Sequence, residues 1–106
     1  MEKILIVDDS LVQSSQLKSI LEDEYDITVA QRPEDGLRWA SEGGFSLILL
    51  DVVMPGMDGF TLLKKLQEEI ITQNVPVILI TSLSNVANEQ RGLILGAVDY
   101  ITKPFK

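Results

Sequence analysis

Five short apolar runs, separated by longer segments with helical spacing, constrain the fold of this chain more than any other feature. The runs are rich in β-branched residues and bounded by turn residues, which is typical of strands buried on both faces of a parallel sheet. They are expected at about residues 3–7, 26–30, 46–50, 76–80 and 97–101. Each connection is long enough for a right-handed crossover helix. The pattern therefore predicts an α/β fold with a doubly wound, five-stranded parallel sheet.

Four helices are expected between these strands, at about residues 11–23, 33–42, 58–71 and 85–95. Ser10 and Asp58 can cap the first and third helices, because their side chains accept hydrogen bonds from free backbone N–H groups. Pro33 suits the first turn of the second helix, and glycines end the second and fourth helices. The residues expected to face the sheet are Leu17, Ile20, Leu21, Leu37, Ala40, Leu62, Leu63, Leu66 and Ile70.

The organisation of the chain is that of one domain over residues 1–106. No low-complexity segment, linker-like composition or internal repeat suggests a boundary. A sheet covered on both faces needs a fifth helix after its last strand, and the sequence ends at Lys106 before one can form. We therefore expect a doubly wound domain trimmed at its C-terminal end.

The composition excludes several classes of function. Nine Lys and Arg against 16 Asp and Glu leave a net charge of −7, which argues against direct nucleic-acid binding by this domain. The absence of Cys excludes disulfides and thiolate metal sites, and the absence of His excludes imidazole bases. No apolar run approaches the ~20 residues needed to cross a bilayer, and no signal peptide is evident. We expect a soluble, cytoplasmic protein without membrane contact.

Polar residues follow four of the five predicted strands. Asp8 and Asp9 follow the first strand, Asp51 follows the third, Thr81 ends the fourth, and Lys103 comes after the last. The carboxyl ends of parallel strands share one edge, where open α/β sheets bind ligands. The first and third strands flank the switch point in the order 2-1-3-4-5, so the three acids are expected within a few ångströms of one another.

Each of these residues also has an ordinary structural explanation. Asp8 and Asp9 can cap a helix, Thr81 can do the same, and most lysines, like Lys103, are solvated at the surface. Tyr100 can be a half-buried strand aromatic. Their common position at one edge of the sheet favours a site instead.

The charge of the acidic cluster indicates what the site would need. Two carboxylates about 4 Å apart repel by about 4 kcal/mol at an effective dielectric of 20. A hard divalent cation such as Mg²⁺ takes carboxylate, carbonyl and water oxygens, and with Lys103 it would neutralise three acids. Asp51 could then attack a phosphoryl group, while the metal, Lys103 and the Thr81 hydroxyl offset the charge on its oxygens. The sequence therefore predicts phosphorylation on an aspartate.

Four motifs resemble those of the receiver domain of bacterial two-component response regulators, the family of the chemotaxis protein CheY. They are, in order, ILIVDDS, LILLDVVMPGMDG, VPVILITS and GAVDYITKPF, and they are spread from residue 4 to residue 105, so the resemblance extends over nearly all of the chain. The resemblance implies a flavodoxin-like or CheY-like sheet of order 2-1-3-4-5. It also implies a phosphorelay switch that receives its phosphoryl group on Asp51 from a histidine kinase or phosphotransfer protein.

The resemblance further implies a role for each site residue. The implied metal ligands are Asp9, Asp51 and the backbone carbonyl of Val53, with Asp8 acting mainly through a water. Thr81 and Lys103 would bind the phosphoryl group, and the Lys103–Pro104 peptide bond is expected to be cis. Phosphorylation would draw the Thr81 hydroxyl inward, and Tyr100 would follow, which repacks the surface around the fourth helix and last strand to control an output domain or effector.

Other readings of the same residues predict different features. An aspartate-nucleophile phosphatase of the haloacid dehalogenase type needs a second acid two residues after Asp51, where Val53 stands. A phosphorylation-independent interaction module would be expected to lose some of the acids, Thr81 or Lys103. A flavin-binding domain needs a phosphate loop after the first strand, where Asp8 and Asp9 would repel phosphate. The domain is expected to promote only its own phosphoryl transfer and dephosphorylation, and a homodimer is left open.

Overall fold

The computed structural model describes residues 1–82 and 86–103. The strands are β1 (Lys3–Val7), β2 (Asp26–Ala30), β3 (Phe45–Leu50), β4 (Val77–Thr81) and β5 (Asp99–Thr102). The helices of this described part are α1 (Leu11–Leu21), α2 (Pro33–Glu42), α3 (Gly59–Glu68) and α4 (Val86–Ile94). All strand pairs are parallel, in the order β2-β1-β3-β4-β5. The predicted fold class and strand order are confirmed.

The two faces of the sheet carry separate apolar clusters, because successive strand residues point to opposite faces. In β1, Leu5 and Val7 belong to the larger cluster, which also contains buried residues of α2 and α3. Ile4 and Ile6 belong to the smaller cluster, together with Leu17 of α1. Both faces of β1 are therefore buried, as its continuous apolar sequence predicts.

The predicted helix signals are found where the sequence places them. The Ser10 side chain accepts a hydrogen bond from the Gln13 N–H and caps α1, and Asp58 accepts one from the Thr61 N–H and caps α3. Pro33 is the first residue of α2, and Gly43 ends that helix with a φ of 83°. Such a φ is left-handed, which glycine adopts without steric cost.

Two residues predicted to face the sheet do not. Ile20 is 68% exposed, although Leu17 and Leu21 of the same helix pack against the smaller cluster. It lies at the rim of an apolar groove whose lining also includes Tyr25 and Ile101, and no described element covers that rim. Ile70 is 85% exposed.

The position of Ile70 follows from an early end of α3. The helix ends at Glu68, and Glu69 has extended backbone angles, with φ −100° and ψ 138°. Ile70 therefore lies in the connection to β4, where helical spacing no longer applies. The other residues predicted to face the sheet are buried or half-buried: Leu17, Leu21, Leu37, Ala40, Leu62, Leu63 and Leu66. Within residues 1–82 and 86–103, no helix combines the length and apolarity that a membrane crossing requires.

Candidate functional site

The register of the sheet brings Asp8 and Asp51 side by side. Val7 and Leu50, the last residues of β1 and β3, are paired, and each is followed by an aspartate. The Asp51 N–H continues the ladder by donating to the Val7 carbonyl at 2.9 Å, and the Asp8 N–H donates to the Ala30 carbonyl at 3.0 Å. Both carboxylates are thus held by the sheet itself at its carboxyl edge.

Three carboxylates converge at this edge. One oxygen each of Asp8, Asp9 and Asp51 lies within 4.8 Å of the other two. Asp8 is 2% and Asp51 7% exposed, whereas Asp9 is open to solvent. At such separations two ionised carboxylates repel by at least about 3.5 kcal/mol at an effective dielectric of 20. A set of hard oxygen donors with one open side fits a small divalent cation that keeps several waters.

Lys103 supplies the positive charge within the protein. Its backbone N–H donates to the Thr81 carbonyl at 2.8 Å, which places its side chain at the end of β4. Its ammonium nitrogen lies 2.9 Å from Asp8 Oδ2 and 3.3 Å from Asp51 Oδ2. A third contact joins the ammonium to Gln13 Oε1. The Lys103 side chain is only 6% exposed, so these bonds form away from bulk water.

Burial raises the pKa of Asp51 above its ordinary value. The Lys103 ammonium acts in the opposite direction, and the neighbouring Asp8 charge adds to the increase. The Val53 N–H, which donates to Asp51 Oδ1 at 3.3 Å, favours the ionised form but does not reverse the balance. The ionised Asp51 is therefore poorly solvated compared with an exposed aspartate.

Thr81 and Tyr100 lie on the neighbouring strands β4 and β5. Thr81 is fully buried at the end of β4, and its Cα pairs with that of Thr102. Tyr100 is 9% exposed, and its pKa is raised by burial and also by the negative charges of Glu89 and Asp51. A β-carbon added to Gly92 would lie 3.2 Å from Tyr100 Cδ2, so the tyrosine ring packs against the bare backbone of α4.

Most of the predicted site residues meet in this region. Asp8, Asp9, Asp51 and Lys103 form one cluster, and Thr81 is joined to it through the backbone of Lys103. The side chain of Val53 is 51% exposed, and its carbonyl remains a predicted ligand. The predicted cis bond before Pro104 lies outside the described residues.

Two residues of the site were not predicted. Gln13, in the first turn of α1, contacts the ammonium of Lys103, and no pattern in the sequence indicated this contact. Gly59 begins α3 with its N–H donating to the Val52 carbonyl at 2.8 Å. A β-carbon there would lie 2.2 Å from the Asp51 carbonyl oxygen, so only glycine permits this approach. The sequence marked Asp58 as a helix cap but did not indicate that position 59 requires glycine.

Comparison with known proteins agrees with this geometry. Residues 4–106 match the response regulator receiver domain family. The transcriptional regulatory protein YkoG of Bacillus subtilis is 42% identical over 109 residues, which cover 100% of this chain and 47% of YkoG. The response regulator PleD of Caulobacter vibrioides is 41% identical over 103 residues, which cover 96% of this chain and 23% of PleD. The chain thus spans less than half the length of these relatives.

The fold is shared with solved receiver structures. The chemotaxis protein CheY4 of Vibrio cholerae superimposes with a TM-score of 0.93 at 30% identity, covering 100% of this chain and 89% of that one. The chain belongs to the receiver-domain family of two-component response regulators. Members of this family are signalling switches that accept a phosphoryl group on an aspartate and act with histidine kinases and output domains.

Proposed function

We propose that residues 1–106 form one phosphorylation-controlled switch, in which Asp51 accepts the phosphoryl group from a partner histidine kinase or phosphotransfer protein. The observation that carries this proposal is the convergence of three carboxylates and the buried Lys103 ammonium at the carboxyl edge of the sheet. A structural role alone does not explain so much like charge in one place.

The hydrogen bonds distinguish Asp51 from Asp8 as the nucleophile. Both oxygens of Asp8 are engaged at 2.9 Å, one by the Ser10 N–H and the other by Lys103. The bonds to Asp51 are longer, 3.3 Å from the Val53 N–H and 3.3 Å from Lys103. Asp51 is therefore the less strongly held of the two buried carboxylates, and its poor solvation favours attack on phosphorus.

The donor set supports Mg²⁺ as the cofactor. Asp9, Asp51 and the Val53 carbonyl would hold the ion, with Asp8 acting mainly through a water. When bound there, the ion would supply positive charge that offsets the charge on the phosphoryl oxygens. Sites of this kind keep several waters around Mg²⁺, which agrees with the solvent-exposed position of Asp9.

The transfer step exchanges one bond to phosphorus for another. An Asp51 carboxylate oxygen forms a bond to phosphorus as the bond from phosphorus to the donor's imidazole nitrogen breaks, and that nitrogen keeps the electron pair. One N–H donor of the Lys103 ammonium turns from the Asp51 carboxylate to a phosphoryl oxygen, and the Thr81 hydroxyl donates to another. No proton needs to leave Asp51, since its carboxylate is the reacting form. The domain promotes its own phosphorylation and dephosphorylation and turns over no separate substrate.

The signal is proposed to leave the site through Thr81 and Tyr100. Movement of the Thr81 hydroxyl toward the phosphoryl group vacates space at the end of β4, and the Tyr100 ring moves into it. Because this ring packs against Gly92, its movement changes the surface of α4 and β5. An output domain or effector would read that surface in the cytoplasm. The net charge of −7 disfavours direct nucleic-acid binding by this domain.

A small-molecule phosphodonor tests the proposal without a known kinase. Acetyl phosphate with Mg²⁺ should add one phosphoryl group to the domain, seen by intact mass, and Asp51→Asn should remain unmodified. Beryllofluoride, which mimics the phosphoryl group, should bind the wild type and not the variant. Modification of Asp51→Asn to the wild-type level would refute the assignment of the nucleophile.

A further inference from the structure

A closed ring of hydrogen bonds links the start of α1 to the ammonium of Lys103. The Ser10 N–H donates to Asp8 Oδ1 at 2.9 Å, and the Gln13 N–H donates to Ser10 Oγ at 3.3 Å. The Lys103 ammonium donates to Gln13 Oε1 and, at 2.9 Å, to Asp8 Oδ2, which closes the ring. The first turn of α1 is thereby tied to a side chain that follows β5.

Gln13 completes the set of acceptors around the ammonium. A lysine ammonium has three N–H donors and no acceptor. Here the three donors have three different partners, Asp8 Oδ2, Asp51 Oδ2 and Gln13 Oε1. Only the bond to Asp51 has to be exchanged during phosphoryl transfer. The remaining two bonds would keep the nitrogen in place while its third donor turns to the phosphoryl oxygen.

We propose that Gln13 is a positioning residue for phosphoryl transfer: its amide oxygen holds the Lys103 ammonium at the distance where it can stabilise the phosphoryl group on Asp51. This inference deepens the proposed function and rests on it. Gln13 does not touch the reacting atoms and acts through Lys103. Asp8 alone would leave the ammonium free to rotate about a single contact, because the lysine chain has several flexible bonds.

The test compares Gln13→Met with Gln16→Met. Methionine keeps the unbranched shape and helix preference of glutamine but lacks the amide oxygen. Gln16 is exposed one turn further along α1, so its substitution is the matched control. Acetyl phosphate is used as the donor, so that contacts between α1 and a kinase do not enter the measurement.

The maximal rate of Asp51 phosphorylation at saturating Mg²⁺ is expected to fall roughly tenfold in Gln13→Met, since misplacement by about 1 Å at a reacting centre costs up to about 100-fold. The Mg²⁺ affinity should stay within about twofold, because only the transfer step is affected. Gln16→Met should match the wild type in both phosphorylation rate and Mg²⁺ affinity. Gln13→Glu, which retains a carboxyl oxygen at the same reach, should recover most of the rate.

A second readout reports on the ammonium directly. The ¹⁵N-detected signal of the Lys103 NH₃⁺ group, assigned with Lys103→Arg, should be sharp in the wild type and in Gln16→Met because the group is buried and fully bonded. It should broaden or disappear in Gln13→Met. If that variant does not unfold cooperatively in urea, Gln13→Asn, whose amide is one methylene shorter, takes its place.

The outcomes separate the two proposals. A wild-type phosphorylation rate and an unchanged Lys103 signal in Gln13→Met would overturn the role of Gln13 and leave the proposed function standing. A wild-type protein that acetyl phosphate fails to modify would overturn the proposed function, and the role of Gln13 in transfer with it.

Discussion

Replacement of Lys103 by methionine tests most directly whether the acidic cluster depends on its internal cation. The ammonium lies 2.9 Å from Asp8 and 3.3 Å from Asp51, with the side chain 6% exposed. Removing one partner of a buried ion pair costs about 3–5 kcal/mol. We therefore expect Lys103→Met to lower the free energy of unfolding by about 3 kcal/mol at pH 7 without Mg²⁺. Urea unfolding followed by circular dichroism measures this loss.

The loss of unfolding free energy in Lys103→Met should become smaller as the pH falls. Burial raises the pKa of Asp51, and Lys103 counteracts part of that increase, so the pKa should rise further in the variant. A carboxyl with a raised folded-state pKa destabilises the fold above its unfolded pKa of about 3.9, and protonation relieves the penalty as pH falls through the folded value. The difference between wild type and Lys103→Met should therefore shrink as the pH falls from 7 toward the unfolded pKa.

Mg²⁺ should restore part of the stability. A ligand that binds only the folded state at about 100 times its Kd adds about 2.7 kcal/mol. Lys103→Met should gain more from Mg²⁺ than the wild type, because the ammonium no longer competes for Asp8 and Asp51. Lys64→Met, at an exposed position of α3, is the matched control and should change stability by less than about 0.5 kcal/mol. Equal effects of the two substitutions would refute the reasoning.

Three further experiments test other parts of the site. Gly59→Ala should cost about 3 kcal/mol or more in urea unfolding, because its β-carbon meets rigid backbone 2.2 Å away. Gly92→Ala should cost less than Gly59→Ala, because its β-carbon meets only side-chain atoms, the end of Leu79 at 2.5 Å and the Tyr100 ring at 3.2 Å, and alanine favours the helix. Equal losses would contradict this. Asp51→Asn should stabilise the metal-free protein at pH 7, because the pKa of Asp51 is raised and the ionised form is unfavourable in the fold. The gain in stability should vanish at acid pH. Destabilisation at pH 7 would contradict this prediction. Tyr100→Ala should still be phosphorylated by acetyl phosphate, but beryllofluoride should no longer shift the backbone amide signals of α4. A wild-type response there would remove Tyr100 from the switch.

The local patterns in the sequence were sufficient for the fold and for placing several polar residues at the carboxyl edge of the sheet. The apolar runs predicted all five strands to within a few residues, and Ser10, Pro33 and Asp58 marked helix starts correctly. These signals are reliable because strand burial and N-capping depend on neighbouring residues. The prediction that Ile70 faces the sheet was wrong for the same reason. Its spacing continued the pattern of α3, but the helix had already ended before Glu69.

The hydrogen-bond partners of the site residues depend on packing between segments that are far apart in the sequence. Lys103 meets Asp8 and Gln13 across 95 and 90 residues of chain, and nothing in the spacing of these residues indicates that Gln13 would be the third acceptor. The need for glycine at position 59 likewise arises only where α3 approaches the end of β3. Periodicity determines which residues reach the carboxyl edge of the sheet. Which atoms bond there, and at what distance, follows from the pairing of β1 with β3, of β3 with β4 and of β4 with β5, because these pairings together bring the strand ends side by side.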